Sequence, residues 1–255
     1  MSKFKKGVIT LSIDDGRKDA FRLLNDVLNK YSVPATFNIV SGYIDVNNEG
    51  NKSNITLDEL KQMYKNPLVE IATHGFSHKN DDEDIIKGKD KLYEWLGIKD
   101  SEIGFVSPGS VLKEDYICEN AEKYQNMGIL YIRTGFEKSG LSVEEVCEYF
   151  DNSDICGIDE LYYSFDNMCI NSVTVLSVAT VESLKKIVDL AVEEKGCVTF
   201  LLHSVCKKGE YKPDDLWTYD YDKFVEFVEY LVEKRDKGEI EILTTRDAFI
   251  KGKNF

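Results

Sequence analysis

The chain has 255 residues, of which 42% are hydrophobic, and a formal net charge of −14 at pH 7. This length is enough to bury a large core, and we predict a single α/β domain over residues 1–255. The charge argues against a nucleic-acid groove, which needs clustered lysines and arginines, because the longest basic cluster is residues 3–6. A neutral or cationic substrate is easier to accommodate.

The sequence also lacks the features of a membrane or exported protein. No apolar segment approaches the ~20 residues of a membrane helix, and the first strand-like run begins too early to leave room for a signal peptide. We therefore predict a cytoplasmic location. The six cysteines form no Cys-x-x-Cys pair, and most lie in apolar periodic segments, which indicates buried, reduced thiols. No pattern predicts an oligomeric state.

Apolar runs of strand length alternate with amphipathic helical patterns from one end of the chain to the other. The predicted strands cover residues 8–13, 35–40, 69–73, 103–106, 129–132, 172–178, 197–202 and 240–243. Helical spacing of apolar residues covers 19–31 and 181–195. Thr56 and Glu59 form a capping box for a helix over 57–64. The irregular, acidic segment 152–171 holds one further candidate strand, 161–165.

Strict alternation of eight strands with helices predicts βα units and a parallel sheet. Such a sheet either closes into a barrel or stays open and doubly wound. In both arrangements the carboxyl ends of the strands meet at the edge where these folds build their binding sites.

The chemically active side chains of this sequence follow the predicted strands directly. Asp14 and Asp15 follow the first strand, His74 and His78 of HGFSH follow the third, and His203 follows the seventh. Two imidazoles and a carboxylate form a three-ligand set that suits zinc and leaves positions open for water and substrate, as in a catalytic site. One of the adjacent acids can bind the ion, while the other accepts a proton from water that the ion activates.

Each of these residues also has a simpler interpretation. Adjacent acids can serve as a helix N-cap and its solvated neighbour. His74 and His78 can form a hydrogen-bonded pair in a loop, and His203 can be a hydrogen-bonded interior histidine. Their joint occurrence at strand ends favours the metal site.

These motifs resemble those of the polysaccharide deacetylases, carbohydrate esterase family four. The family has an Asp-Asp first motif, here SIDDG, a His-x3-His second motif, here HGFSH, and a last Leu-x-His motif, here LLHS. The segment VPATFNIVSGYI also resembles the second strand of the family, and the likeness extends from Gly7 to about Phe249. The resemblance implies a distorted (β/α) barrel with seven or eight strands, a divalent metal ion, and removal of acetyl groups from an N-acetylated sugar or short glycan.

The resemblance also implies roles for the site residues: Asp14 as general base, Asp15, His74 and His78 as metal ligands, and His203 as general acid. An anionic neighbourhood favours the protonated imidazole that a general acid requires. The family supports this histidine with a further acid, for which Asp166 is a weak candidate.

The third motif departs from the family pattern of Arg-x-Pro followed by an aromatic residue and Gly. In the segment FVSPGS, Val106 stands where the arginine is expected, and Gly109 stands where the aromatic residue is expected. The backbone N–H of Gly109 can still donate to an oxyanion. We predict that Arg133, at the end of the next strand, takes the place of the missing arginine beside Asp14. The alternative for Arg133 is a surface ion pair.

Two alternatives to a glycan deacetylase remain open at this point. One keeps the metal and fold but acts on another small amide, such as a cyclic ureide or formamide. The other is a carbohydrate-binding barrel that has lost turnover, which the missing arginine favours and the presence of Asp14 and His203 disfavours. Three aromatic residues after the last motif can stack on a sugar or pack as a lid: Trp217, Tyr219 and Tyr221.

Overall fold

The computed structural model describes residues 3–46, 53–99, 101–135, 161–212 and 214–253. Its strands are β1 (Gly7–Ile13), β2 (Ala35–Ile39), β3 (Val69–Thr73), β4 (Ile103–Val106), β5 (Ile129–Arg133), β6 (Cys169–Ile170), β7 (Val173–Thr174), β8 (Cys197–Leu202), β9 (Ser204–Cys206), β10 (Thr218–Asp220) and β11 (Ile240–Leu243). Its α-helices are α1 (Lys18–Leu23), α2 (Asn29–Tyr31), α3 (Leu57–Tyr64), α4 (Asp82–Leu96), α5 (Glu114–Glu119), α6 (Ala121–Asn126), α7 (Val181–Glu194), α8 (Tyr221–Asp236) and α9 (Thr245–Gly252).

The main sheet is parallel and has the order β6-β5-β4-β3-β2-β1-β8-β7, with β11 also paired to β1. Strand β11 pairs with the first half of β1, whereas β2 pairs only with Ser12 and Ile13 near its carboxyl end. The two outer strands, β6 and β7, are joined through Asn171 and Ser172, and the Ser172 hydroxyl donates to the Thr134 carbonyl at 2.8 Å. The curled sheet and its helices form the predicted distorted (β/α) barrel, with eight strands along this order in the described part of the chain.

The predicted strand over 172–178 is wrong in extent. Only Val173–Thr174 of this range forms a strand, β7, which pairs with β8, whereas the unpredicted β6 just before it pairs with β5. This change of partner interrupts the ladder. The candidate strand over 161–165 is also not formed; Tyr162 and Phe165 make isolated bridges with Cys197 and Lys253.

The helices follow from local signals in the sequence. The predicted capping box is confirmed, since Thr56 accepts from the Glu59 N–H and the Glu59 carboxylate accepts from the Thr56 N–H. The helical pattern 19–31 becomes α1 and α2, joined by a π-helical turn at Leu24–Leu28. Helix α7 ends at Glu194, followed by Lys195 in a left-handed conformation (φ 53°).

The strands at the centre of the sheet are buried along their whole length, as β1 and β8 show. This explains their nearly continuous apolar sequences. Cys169, Cys197 and Cys206 are buried free thiols and Cys118 is exposed, while Cys147 and Cys156 lie outside the described residues. Across the described ranges, no helix combines the length and the apolar character that crossing a membrane requires.

Strand register brings the residues that follow the strands to one edge. The N–H of Asp14 donates to the Leu202 carbonyl at 2.8 Å, and the N–H of His74 donates to the Ile39 carbonyl at 2.9 Å. The first, third and eighth strands therefore end at similar heights. As a result, side chains that are far apart in sequence share one end of the barrel.

Candidate active site

Asp15, His74 and His78 converge at this end of the barrel. Each offers one ligand atom, and these atoms lie within 4.8 Å of one another. Oδ1 of Asp15 lies 3.6 Å from Nε2 of His74 and 3.7 Å from Nε2 of His78. The two imidazoles meet edge to face, with ring centroids 4.7 Å apart.

This donor set fits a divalent cation. Ligands about 2.1 Å from a zinc ion at tetrahedral angles lie about 3.4 Å apart, close to the distances between Asp15 Oδ1 and the two imidazoles. Burial lowers the pKa of His74 against the opposing effect of Asp14 and Asp15. A neutral imidazole is the form that binds metal ions. The residues present can therefore hold a zinc ion.

The ring of His74 is oriented by the neighbouring strand. Its Nδ1 lies 2.8 Å from the Val106 carbonyl oxygen at the end of β4. A carbonyl accepts only, so Nδ1 carries the proton and Nε2 presents its lone pair. Ligating histidines are usually held in this way by a group outside the metal site.

Asp84 shapes the loop between His74 and His78. Its carboxylate accepts from the backbone N–H groups of Phe76, Ser77 and Lys79 and from the Ser77 hydroxyl, at 2.6 to 3.1 Å. The Asp84 side chain also approaches Gly75 (φ 79°), where an added Cβ would lie 2.5 Å from Oδ2. These contacts hold His78 in the left-handed conformation, with φ at 63°. Such backbone conformations are typical of functional sites.

Asp15 also has a left-handed backbone, with φ at 73°. Its Oδ2 accepts from Nε and Nη2 of Arg17 at 3.0 and 2.8 Å. Burial raises its pKa, but interactions with His203, His74 and Arg17 bring the pKa below its ordinary value. Asp15 is therefore an ionised carboxylate whose two oxygens face different partners.

Asp14 lies beside the three candidate ligands but has its own hydrogen bonds. Only 3% of it is exposed. Oδ1 accepts from Nδ2 of Asn38 at 2.6 Å and from Nη2 of Arg133, while Oδ2 lies 3.9 Å from Nε2 of His74. Burial raises the pKa of Asp14, but the combined effect of Arg133, His74 and His203 lowers it to about 2. The carboxylate is therefore ionised at neutral pH and free of a proton of its own.

Arg133 reaches Asp14 because of strand register. It pairs directly with Val106 across β4 and β5, and register partners in a parallel sheet point to the same face. The family pattern places an arginine at the position of Val106 in β4. Arg133 supplies a guanidinium at the same height from the neighbouring strand, β5. It is fully buried, so the alternative of a surface ion pair is wrong.

His203 extends from the end of β8 toward the two aspartates. Burial lowers its pKa despite the opposing effect of Asp14 and Asp15, which by themselves raise it. Within the described part of the chain, Nδ1 of His203 has no hydrogen-bond partner. Trp217, 51% exposed, packs edge to face against the ring at a centroid distance of 4.7 Å.

Gly109 and Asp166 were also predicted to belong to the site. Gly109 follows β4 in a left-handed conformation (φ 62°) and is exposed. Asp166 precedes β6, at the opposite end of a parallel strand from the site, and accepts a hydrogen bond from Ser164 at 3.3 Å. The prediction that Asp166 supports His203 is therefore wrong. Of the aromatic residues, Tyr219 is buried, whereas Trp217 is exposed at the site.

The cluster lies within a segment that matches a known family. Residues 2–110 match the sequence profile of the polysaccharide deacetylases. The residues that match this profile include Asp14, Asp15, His74, His78 and Gly109, whereas Arg133 and His203 lie beyond them.

Curated relatives share a short segment with this chain. A poly-β-1,6-N-acetyl-D-glucosamine N-deacetylase of Staphylococcus aureus is 36% identical over 72 residues, which are 28% of this chain and 25% of the relative. The chain thus spans about a quarter of the length of the curated relatives it matches.

Solved structures share the fold over nearly the whole chain. The Bc1960 peptidoglycan N-acetylglucosamine deacetylase has a TM-score of 0.53 at 14% identity, covering 98% of this chain and 91% of that one. The Xyl-CE4 domain of a xylanase from the hindgut metagenome of Trinervitermes trinervoides has a TM-score of 0.50 at 15% identity, covering 97% and 91%. These similarities establish a common barrel fold.

Three polar residues at the site were missed by the sequence analysis. Arg17 follows the Asp-Asp motif by two residues, Asn38 lies inside the apolar run of β2, and Asp84 follows the second motif by six residues. A polar residue within a buried strand, as at Asn38, was a readable signal. Asp84 carried no such signal, because it reads as one of several acids in the first turn of α4.

Proposed function

We propose that this chain is a metal-dependent hydrolase that removes acetyl groups from an N-acetylated sugar or short glycan. Asp15, His74 and His78 hold a divalent cation, with zinc the best fit to the donor set. The proposal is carried by one observation: three ligand atoms face one point, and an ionised carboxylate outside the ligand set lies beside them. Fold similarity over nearly the full length supports one barrel domain over residues 1–255.

Asp14 acts as the general base in this proposal. When bound, the cation would polarise the amide carbonyl and lower the pKa of a coordinated water. Asp14 accepts the proton as the water oxygen attacks the carbonyl carbon. Arg133 and Asn38 hold Oδ1 of Asp14, which leaves Oδ2 for this proton. General base catalysis of this kind contributes about 10²- to 10⁴-fold.

Gly109 and His203 complete the proposed reaction. The backbone N–H of Gly109 donates to the oxyanion that forms when water attacks. The C–N bond then breaks as protonated His203 gives its proton to the departing amine nitrogen, leaving acetate and a free amine. Because burial lowers the pKa of His203, its protonated form is a stronger acid than an exposed imidazolium.

The test combines metal reconstitution with a comparison of substrates. The purified chain is stripped with a chelator, reloaded with zinc, and assayed for acetate release from N-acetylglucosamine oligomers and for turnover of small cyclic amides. We expect one bound metal ion per chain and acetate release that depends on it. Asp14→Asn should keep the metal ion and lose acetate release by about 10²-fold or more.

Each alternative has a distinct outcome. If the wild-type chain binds no divalent metal ion, the proposed metal-dependent hydrolysis is wrong. Turnover of cyclic amides without acetate release would change the substrate class, while metal and glycan binding without turnover would indicate a binding barrel. Full activity in Asp14→Asn would remove Asp14 from the mechanism.

A further inference from the structure

The side chain of Arg17 joins the first motif to the last. Its Nε and Nη2 donate to the same oxygen of Asp15, Oδ2, at 3.0 and 2.8 Å, and Nη1 donates to the Ser204 hydroxyl at 3.1 Å. Ser204 directly follows His203 and is fully buried. One guanidinium therefore contacts both a candidate metal ligand and the strand next to the candidate general acid.

The two oxygens of the Asp15 carboxylate have different partners because Arg17 contacts only one of them. Oδ2 faces the guanidinium, and Oδ1 faces both imidazoles. The backbone around Asp15 is held as well, because Nδ2 of Asn54 donates to the Asp15 carbonyl at 2.9 Å. A carboxylate held in this way has little freedom to rotate and bring both oxygens to the same cation.

We propose that Arg17 is a positioning residue that restricts Asp15 to binding the cation through Oδ1 alone. The inference rests on the proposed metal-dependent function. One-oxygen binding leaves coordination positions for water and substrate, which a catalytic site requires. The hydrogen bond to Ser204 sets the distance between this ligand and β9, which begins directly after His203.

The effect of Arg17 on metal affinity has a definite sign. A positive charge near the site repels a cation. If this repulsion were the only effect of Arg17, replacing Arg17 with a neutral residue would tighten cation binding. If Arg17 acts mainly by holding the carboxylate, its removal weakens binding instead. The loss of groups that orient metal ligands typically costs about 10- to 100-fold in affinity or activity.

The experiment measures zinc affinity by competition with a chromophoric chelator, together with the visible absorption spectrum of the cobalt-loaded protein. We expect Arg17→Gln to weaken zinc binding about 10-fold or more. Its cobalt bands should lose intensity as Asp15 contributes a second oxygen and the coordination number rises. Arg17→Lys should fold and keep the charge yet fail to restore affinity, because an ammonium cannot reproduce the planar pair of donors.

Two further variants serve as controls. Arg22→Gln removes another arginine near the start of the same helical segment, one that pairs with Glu210 instead of Asp15, and should leave zinc affinity and the cobalt spectrum unchanged. Ser204→Ala keeps the contact between Arg17 and Asp15, so it should bind zinc like the wild type while kcat falls.

The outcomes separate this inference from the proposed function. If the wild type binds zinc and Arg17→Gln binds it equally or more tightly, with an unchanged cobalt spectrum, the role of Arg17 is overturned while the metal site stands. A wild type without zinc affinity would overturn the proposed function itself. Recovery of full affinity in Arg17→Lys would show that charge alone is required and would also overturn the positioning role.

Discussion

Arg133 donates a hydrogen bond to Oδ1 of Asp14, although 119 positions separate the two residues in the chain. Both side chains are removed from water, with Arg133 fully buried and Asp14 3% exposed. Buried charges are costly unless they are paired. Arg133 therefore favours the ionised state of the Asp14 carboxylate, and the carboxylate in turn compensates the buried charge of the guanidinium.

Replacing Arg133 tests this dependence. Arg133→Met should lower the free energy of unfolding at pH 7 by about 3–5 kcal/mol, because it leaves Asp14 as a buried charge without its cation. Denaturant unfolding measures the loss. The double variant with Asp14→Asn should regain most of it, and equal stability of the wild type and Arg133→Met would contradict the pairing.

Asp84 is expected to control metal affinity without contacting the ion. In Asp84→Asn, an amide group replaces an acceptor oxygen that faces backbone N–H donors, so the loop that carries His78 should loosen. Zinc affinity should fall about 10- to 100-fold, as measured by competition with a chelator. The matched control is Asp82→Asn in the same helical turn, since Asp82 pairs with Lys123 at the surface. Equal losses in both variants would point to helix capping instead of the loop.

His203 should affect turnover more than metal binding, because it lies outside the three-ligand set. His203→Asn should lower kcat by about 10²- to 10⁴-fold, the usual contribution of a general acid. The zinc affinity should stay within about twofold of the wild type. Steady-state kinetics and metal titration on the same preparation check both expectations, and a marked loss of zinc from His203→Asn would make His203 a ligand.

Asp19 should make the stability of the protein depend on pH. Burial raises its pKa from 3.8 to about 6, against the opposing effects of the Val205 N–H and Arg17. Between these pH values the folded protein holds a proton that the unfolded chain has lost, so stability falls as pH rises from about 4 to 6. This pKa difference corresponds to about 3 kcal/mol.

The variant Asp19→Asn isolates this contribution, since an amide oxygen can still accept from the Val205 N–H. Unfolding measured at pH 4 and pH 7 should show the wild type losing about 2 kcal/mol relative to the variant, since part of the change occurs below pH 4. Parallel pH dependence in the two proteins would show that Asp19 does not titrate in this range.

The sequence by itself determined the features that depend on neighbouring residues. Apolar periodicity and the Thr56 cap predicted most strands and helices to within a few residues, because these signals act over one or two turns. The strand-end positions of Asp14, Asp15, His74 and His203 predicted a common edge, because parallel strands connected by helices all point the same way. The same alternation allowed either a closed barrel or an open sheet, and only the resemblance to the deacetylase family favoured the barrel.

Tertiary structure alone decided what depends on contacts between distant segments. Register between β4 and β5 places Arg133 at the height of Val106. No local sequence pattern predicts which residues of two strands lie side by side. The pairing of β6 with β5 and of β7 with β8 limited the strand predicted over 172–178 to two residues. Burial, set by residues far apart in the chain, lowers the pKa of His203 where neighbouring charges alone predicted the opposite.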